Sequence, residues 1–277
     1  VYRAPRIEAM IESQPQHNLD SFAAMQRDVV SVHAQRLLPG LLEAEAQTDL
    51  AALALERLEG WDGAMLRDRP EPLIFSLWME HFTEAAFADE LGEAFEANFF
   101  SHRLLLDRVI SGETPAWCDD VETGAEETCP QMLGAALDSA MEAGAADHGG
   151  DLSRWRWGDA ARAVFDHPFS GQSLVGERFD IVTAIDGDGS TVNVAHFAYG
   201  EGTYDVYHAA SMRAIYDLSD LDASLYMHAP GQSGHPFSTH YRDLAGPWAD
   251  GEFFTIPADF GPEALPEEMR VLRLTPQ

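Results

Sequence analysis

Few residues in this chain have the type and spacing that chemistry requires. Gly231-Gln232-Ser233-Gly234-His235 comes nearest to a nucleophile motif. A G-x-S-x-G elbow needs a second glycine where His235 stands, and Pro236 follows, so Ser233 is rejected as a nucleophile. The stretch reads instead as a loop whose glycines admit positive φ. Asp186-Gly187-Asp188-Gly189-Ser190 has the opening of a calcium loop. An EF-hand loop closes on a glutamate, and that position falls on Phe197, so a metal-free hairpin turn is the better reading. His228, His235 and His240 lie seven and five residues apart among 11 scattered histidines. Three imidazoles can hold a metal, but loop spacing alone does not bring them together, and surface or internally bonded histidines are the default. Cys118 and Cys129 are the only cysteines, eleven residues apart across an acidic segment. They read as a small-loop disulfide in an oxidising compartment, with two reduced, unrelated thiols as the alternative. Neither a CxxC pair nor a ligand cluster accompanies them, which argues against zinc.

The elements that must position these residues belong to an acidic chain of 277 residues with formal charge −30. All 17 basic residues are arginine. Such a surface repels nucleic-acid backbones and anionic membranes, so neither is expected as a partner. It fits solubility in salt, or merely a codon usage that favours arginine. No apolar run approaches the roughly 18 residues of a membrane-spanning helix. Val1 to Ile7 contains arginine and no apolar h-region, so it is no signal peptide and reads like the middle of a longer chain.

Periodicity divides the chain into a mainly helical region, 1–150, and a strand-rich region, 151–277. In the first, Asn18 or Asp20 caps an apolar stripe of Phe22, Met25, Val29, Val32, Leu37 and Leu38 that ends at Pro39-Gly40. Further helices are expected from Thr48 to Gly60, Pro72 to Leu91, Asn98 to Ile110 and Pro130 to Ala145. In the second, Arg178 to Ile185 and Thr191 to Tyr199 flank Asp186–Gly189 as a hairpin. Tyr204 to His208, Arg213 to Leu218, Ser224 to His228 and Arg270 to Leu274 are expected strands, and Thr239 to Trp248 a helix. Trp155-Arg156-Trp157-Gly158 and Trp61-Asp62-Gly63 read as packing anchors before turns. Helices first and strands second give an α+β fold with antiparallel pairing.

Several segments in order carry a resemblance. They run from Tyr2-Arg3-Ala4-Pro5-Arg6-Ile7 through Gly60-Trp61-Asp62-Gly63 and Trp157-Gly158 to Ser211-Met212-Arg213-Ala214-Ile215-Tyr216-Asp217-Leu218. Pro230-Gly231-Gln232-Ser233-Gly234, His240-Tyr241-Arg242-Asp243 and Trp248-Ala249-Asp250-Gly251 follow. Nearly the whole chain resembles the C-terminal part of the β subunit of the penicillin acylase family, which are N-terminal-nucleophile hydrolases. The resemblance implies a share in a four-layer αββα architecture. It also implies cleavage of acyl groups from penicillin-type β-lactams or N-acyl homoserine lactones, in the periplasm or outside the cell.

By the same resemblance the nucleophilic N-terminal Ser, the oxyanion Asn and the family's calcium ligands lie upstream of Val1. No cofactor is then expected in this chain. Its partners are the N-terminal part of the β subunit, the α subunit and a small amide substrate. Arg3 matches the arginine of an R-x-x-x-I segment near the nucleophile; without the resemblance it is an exposed arginine near a terminus. The chain alone is expected to be inactive. A non-catalytic binding module on the same scaffold is the alternative.

Overall fold

The apolar stripes of the first half form helices whose ends are set by side-chain caps. A computed structural model of the protein describes residues 2–98, 103–172, 176–199 and 203–256. Its first helices are α1 (Arg3–Glu12), α2 (Leu19–Gln26), α3 (Val32–Leu41) and α4 (Asp49–Glu59). Next come α5 (Glu71–Leu91), α6 (Glu93–Asn98), α7 (Arg103–Ile110) and α8 (Cys129–His148). Asn18 and Ser21 cap α2 reciprocally, Ser31 accepts from Ala34 N at the start of α3, and Thr48 accepts from Ala51 N at the start of α4.

The stripe expected to form one helix up to Leu38 is split into α2 and α3. Between them Ser31 N donates to Gly63 O and Met65 N to Val29 O, each at 2.9 Å. These backbone groups are spent on the Trp61-Asp62-Gly63 turn, so they cannot continue a helix. Pro39 does not end α3, which runs on to Leu41; it sits in the last turn, where little of the helical ladder remains to be broken.

The core lies where α5 meets α8. Phe75, Trp78, Met79 and Phe82 follow the helical repeat along α5 and pack with Leu133, Leu137, Ala140 and Met141 of α8. Trp78 Nε1 donates to Leu133 O at 2.9 Å, which satisfies the one polar atom that ring brings inside. Two glycines of α8 allow close approach. A Cβ on Gly134 would lie 2.3 Å from Glu45 O, and one on Gly144 would lie 2.4 Å from the Trp155 ring. Asp138, between them, accepts from Gln47 N, Thr48 N and Thr48 Oγ1, so α8 also holds the start of α4.

The second half forms two sheets. β1 (Arg162–Phe165), β2 (Ile181–Ala184), β3 (Ala195–Phe197) and β4 (Val206–Ala209) make a four-stranded sheet in the order β2-β1-β4-β3. β5 (Met212–Ile215), β6 (Leu225–His228) and β7 (Phe254–Thr255) make a three-stranded sheet in that order. All pairings are antiparallel except β1 with β4, which run parallel. Short helices α9 (Trp157–Ala160), α10 (Gly176–Phe179) and α11 (Ala245–Ala249) join them. The helix expected from Thr239 shrinks to α11, because residues 235–244 spend their bonds on turns such as Ser238 N to His235 O. The expected strand at Arg270–Leu274 lies outside the described residues.

The hairpin expected about Asp186–Gly189 does not exist: β2 and β3 lie on opposite edges of the sheet. The loop between them is docked on the helical half. Gly187 N donates to Met65 O at 2.7 Å, Arg67 N donates to Asp186 Oδ1 at 2.6 Å, and Trp157 Nε1 donates to Gly187 O at 3.1 Å. Those bonds pull the strands apart and leave β1, which the sequence pattern missed, to pair with β2. Trp155, Trp157, Phe197 and Tyr204 from this half complete the apolar cluster of the helices. Arg213 of β5 is buried under Trp248 of α11 and donates to Trp248 O at 2.8 Å and to Asn193 Oδ1 at 2.7 Å. Among the described residues no helix is long and apolar enough to cross a membrane.

Candidate functional site

Arg3 opens α1 with its side chain exposed. What fixes its position is Tyr2, which is buried although it precedes the helix. The Tyr2 hydroxyl donates to Asp107 Oδ2 of α7 at 2.9 Å, its ring lies at a tilt to His33 of α3 with centroids 4.9 Å apart, and the Arg36 guanidinium lies over the ring, 5.5 Å from its centroid. Burial, then the bond to Asp107, pushes the Tyr2 phenol up; burial also raises the Asp107 carboxyl. Burial first, then the Arg103 charge, holds His33 down to about 3. His33 Nε2 is 3.5 Å from Asp107 Oδ1. With the ring neutral this is a polar contact and not an ion pair. The start of α1 is thus anchored on α3 and α7, and the structure gives it an ordered helix where the sequence alone suggested a terminus.

Beside this anchor lies a polar cluster built on the loop after β2. Asp188 is buried and accepts from Ser31 Oγ at 2.9 Å, Ser190 N at 2.6 Å and Thr191 N at 2.9 Å. Three donors satisfy it in place of solvent. Arg103, at the start of α7, donates to Ser190 Oγ at 3.3 Å. A Cβ on Gly189 would fall 2.5 Å from His196 Nδ1 and 2.6 Å from a guanidinium nitrogen of Arg103. Two basic groups therefore flank one glycine. Burial, then Arg103, His208 and Arg3 in that order, lowers the His196 imidazole, with Asp188 opposing.

The other sequence candidates do not converge on it. Ser233 Oγ accepts from His235 N at 3.1 Å, and its loop is held by Ser233 N to His240 O at 2.9 Å. The three histidines go to separate partners: His228 to Gln232 at 2.6 Å, His240 to Asp243 at 2.8 Å, and His235 to Phe237 N at 3.2 Å. Asp186 Oδ1 and both oxygens of Asp188 accept from protein donors, and among the described residues no three His, Cys, Asp or Glu are disposed to hold a metal ion. Cys118 and Cys129 are joined, with S–S 2.02 Å and Cα–Cα 4.9 Å. The bridge ties the buried Cys118, last residue of a 3₁₀ turn (Pro115–Cys118), to the first residue of α8.

Arg103, Gly189 and His196 escape a reading of sequence because they come from a helix, a loop and a strand far apart in the chain. The only local signal was the glycine after Asp188, which was spent on the hairpin reading.

A penicillin amidase family model matches residues 1–263. An acyl-homoserine lactone acylase of Pseudomonas fluorescens is 30% identical over 90% of this chain and 32% of its own length. A penicillin acylase 2 proenzyme of a Pseudomonas species is 27% identical, with 90% of this chain and 32% of its own length covered. The chain therefore spans about a third of the length of these curated relatives. Its fold is similar to that of a thermostable penicillin G acylase from Alcaligenes faecalis, with TM-score 0.53 at 16% identity over 98% of this chain and 52% of that one.

Proposed function

The chain belongs to the penicillin amidase family, and from that premise we propose that it is one part of an amide hydrolase that removes acyl groups from N-acyl homoserine lactones or penicillin-type β-lactams. The observation that carries this is the family match over residues 1–263, together with relatives named for both activities. The homoserine lactone acylase at 30% identity puts that substrate first.

The nucleophile in this reading is an N-terminal serine on a part of the enzyme outside this chain. Neither Ser190, buried under Arg103, nor Ser233, bonded to its own loop, replaces it. The serine hydroxyl attacks the amide carbonyl carbon and passes its proton to the α-amine, directly or through water. The C–N bond then breaks, the proton goes to the departing amine, and water releases the acyl group as a carboxylate. This chain supplies scaffold, and its two sheets contribute to the inner layers of an αββα sandwich. Arg3 stands beside the reacting groups as a fixed positive charge. The Cys118–Cys129 bridge accords with a periplasmic or secreted enzyme.

The test is release of primary amine from decanoyl-homoserine lactone and from penicillin G by the full protein that contains this chain. Turnover of at least one is expected, reduced by about tenfold or more in Arg3→Gln, the range of a bond to a charged group. The 277-residue chain alone is expected to turn over neither. A correctly processed full protein that cleaves no acyl amide overturns the reading.

A further inference from the structure

None of the 10 residues of α1 is buried. Packing therefore does little to fix where this helix lies. Between it and α2 is a gap of about 360 Å³, lined by Arg6, Met10, Ser13, Ser21 and Met25 among others. Among the described residues, α1 is tied to its neighbours by side-chain bonds. At its start Tyr2 is buried and donates to Asp107 of α7 at 2.9 Å. Near its end His17 Nε2 donates to Ile11 O at 2.8 Å. Between these, Arg6 reaches Asp28, just beyond α2: Nε donates to Oδ1 at 3.0 Å and Nη2 to Oδ2 at 2.6 Å.

The Arg6–Asp28 contact uses both carboxylate oxygens and two guanidinium nitrogens, a fork that fixes orientation as well as distance. The Asp28 side chain is only 9% exposed, so water competes little for it. Asp28 is itself held from behind. Asn193 N donates to its carbonyl at 2.9 Å, and Asn193 Oδ1 accepts from the buried Arg213 at 2.7 Å. The fork thus joins a helix with little packing of its own to the framework of the strand half. Arg3 lies one turn before Arg6, on the same side of α1, and next to Tyr2 in the chain. Tyr2 sets where the helix starts, and the fork sets its rotation about its own axis. Together they aim the Arg3 side chain.

We propose that Arg6 and Asp28 are positioning residues for Arg3: their fork holds the rotation of α1 at which the Arg3 guanidinium stands beside the reacting groups. This rests on the function proposed above, in which Arg3 is a fixed positive charge at that point. A charge carried on such a helix acts only while the helix keeps its setting, and a displacement of about 1 Å at a reacting centre costs on the order of 10²-fold in rate. The loss falls on the transition state, so it appears in kcat and not in KM.

The experiment uses the full protein and decanoyl-homoserine lactone, with hydrogen exchange of α1 read beside turnover. Asp28→Asn is the main variant, and Arg6→Lys, which keeps the charge and loses the fork, is the milder one. Asp28→Asn is expected to speed exchange in α1 and not in α5, and to lower kcat about tenfold or more with KM unchanged. Combined with Arg3→Gln it is expected to lower kcat no further, because both changes remove the same interaction. A purely structural role would instead add its loss to that of Arg3→Gln. Full additivity overturns the proposal, as does an unchanged kcat in both variants, whether or not α1 is loosened. If Asp28→Asn does not fold, Arg6→Lys carries the same measurements with the same meanings. An active enzyme in which Arg3→Gln changes nothing overturns it too, since Arg3 then does nothing that needs positioning. A full protein that cleaves no acyl amide overturns the reading above and the role of Arg3 with it, while the exchange measurement still tells whether the fork holds α1, so the two failures are told apart.

Discussion

The two halves of the molecule bury their apolar residues to very different degrees. In the helical half Phe75, Trp78, Phe82, Phe87 and Leu137 are all at or below 1% exposure within one continuous cluster. In the strand half Ala163, Ile185, Ala195, Val206, Met227 and Trp248 form a smaller cluster. Tyr207, Met212, Tyr216, Leu218 and Phe237 are between 60% and 88% exposed. The large cluster is built mainly by the helices and completed by Trp155, Trp157, Phe197 and Tyr204, while the most exposed apolar side chains stand in the strand half.

Truncations measure that difference most directly. Trp78→Ala removes a fully buried ring and its bond to Leu133 O, and is expected to cost about 3–5 kcal/mol in chemical denaturation. Replacing both Cys118 and Cys129 by alanine is expected to cost about 3 kcal/mol through the freed loop, read as a lower midpoint under non-reducing conditions. Free thiols in unreduced, exported protein would speak against the bridge. Met227→Ala, in the smaller cluster, is expected to cost about 2 kcal/mol. A cost equal to that of Trp78→Ala would break the comparison, because it would show the sheet core to be as tightly closed as the helical one.

A fourth measurement sharpens the picture through pH. Burial, then a hydrogen bond and the charge of Asp89, raises Glu90 at the end of α5 to about 7. The folded state therefore binds a proton that the unfolded chain has already released. Its contribution is full below about pH 4.5 and is lost as pH rises through about 7. Glu90→Gln should flatten the fall of the melting temperature over that window. An unchanged slope would place the titration elsewhere. The smallest effect is expected at Leu218, 88% exposed. Leu218→Ser should change stability by less than about 0.5 kcal/mol while reducing self-association in sedimentation.

The same contrast sets what the sequence discloses. The spacing of Phe75, Trp78, Met79 and Phe82 places α5 because a buried helix face writes its period directly into the chain. Strand pairing has no such record. Arg178–Ile185 and Thr191–Tyr199 look like neighbours, yet Asp186 and Gly187 bind Arg67 N and Met65 O of the helical half, which sends the strands to opposite edges. Arg162–Phe165 is only four residues long, too short for alternation to show. Within the candidate site, Arg3 was found by its resemblance alone. Arg103 and His196 were not found, because what joins them is the space over Gly189, which no local pattern encodes.

The two close approaches along α8 also have a bearing on how the protein can be altered. Gly134 sits against a backbone carbonyl and Gly144 against a rigid indole, so neither neighbour can yield to a methyl group. A library of variants should find these positions closed to every other residue. Gly60 and Gly246 are open by comparison, with nothing within 4 Å of an added Cβ and without positive φ. For a designer, α8 is the datum against which other elements are placed, and changes belong at those two open glycines.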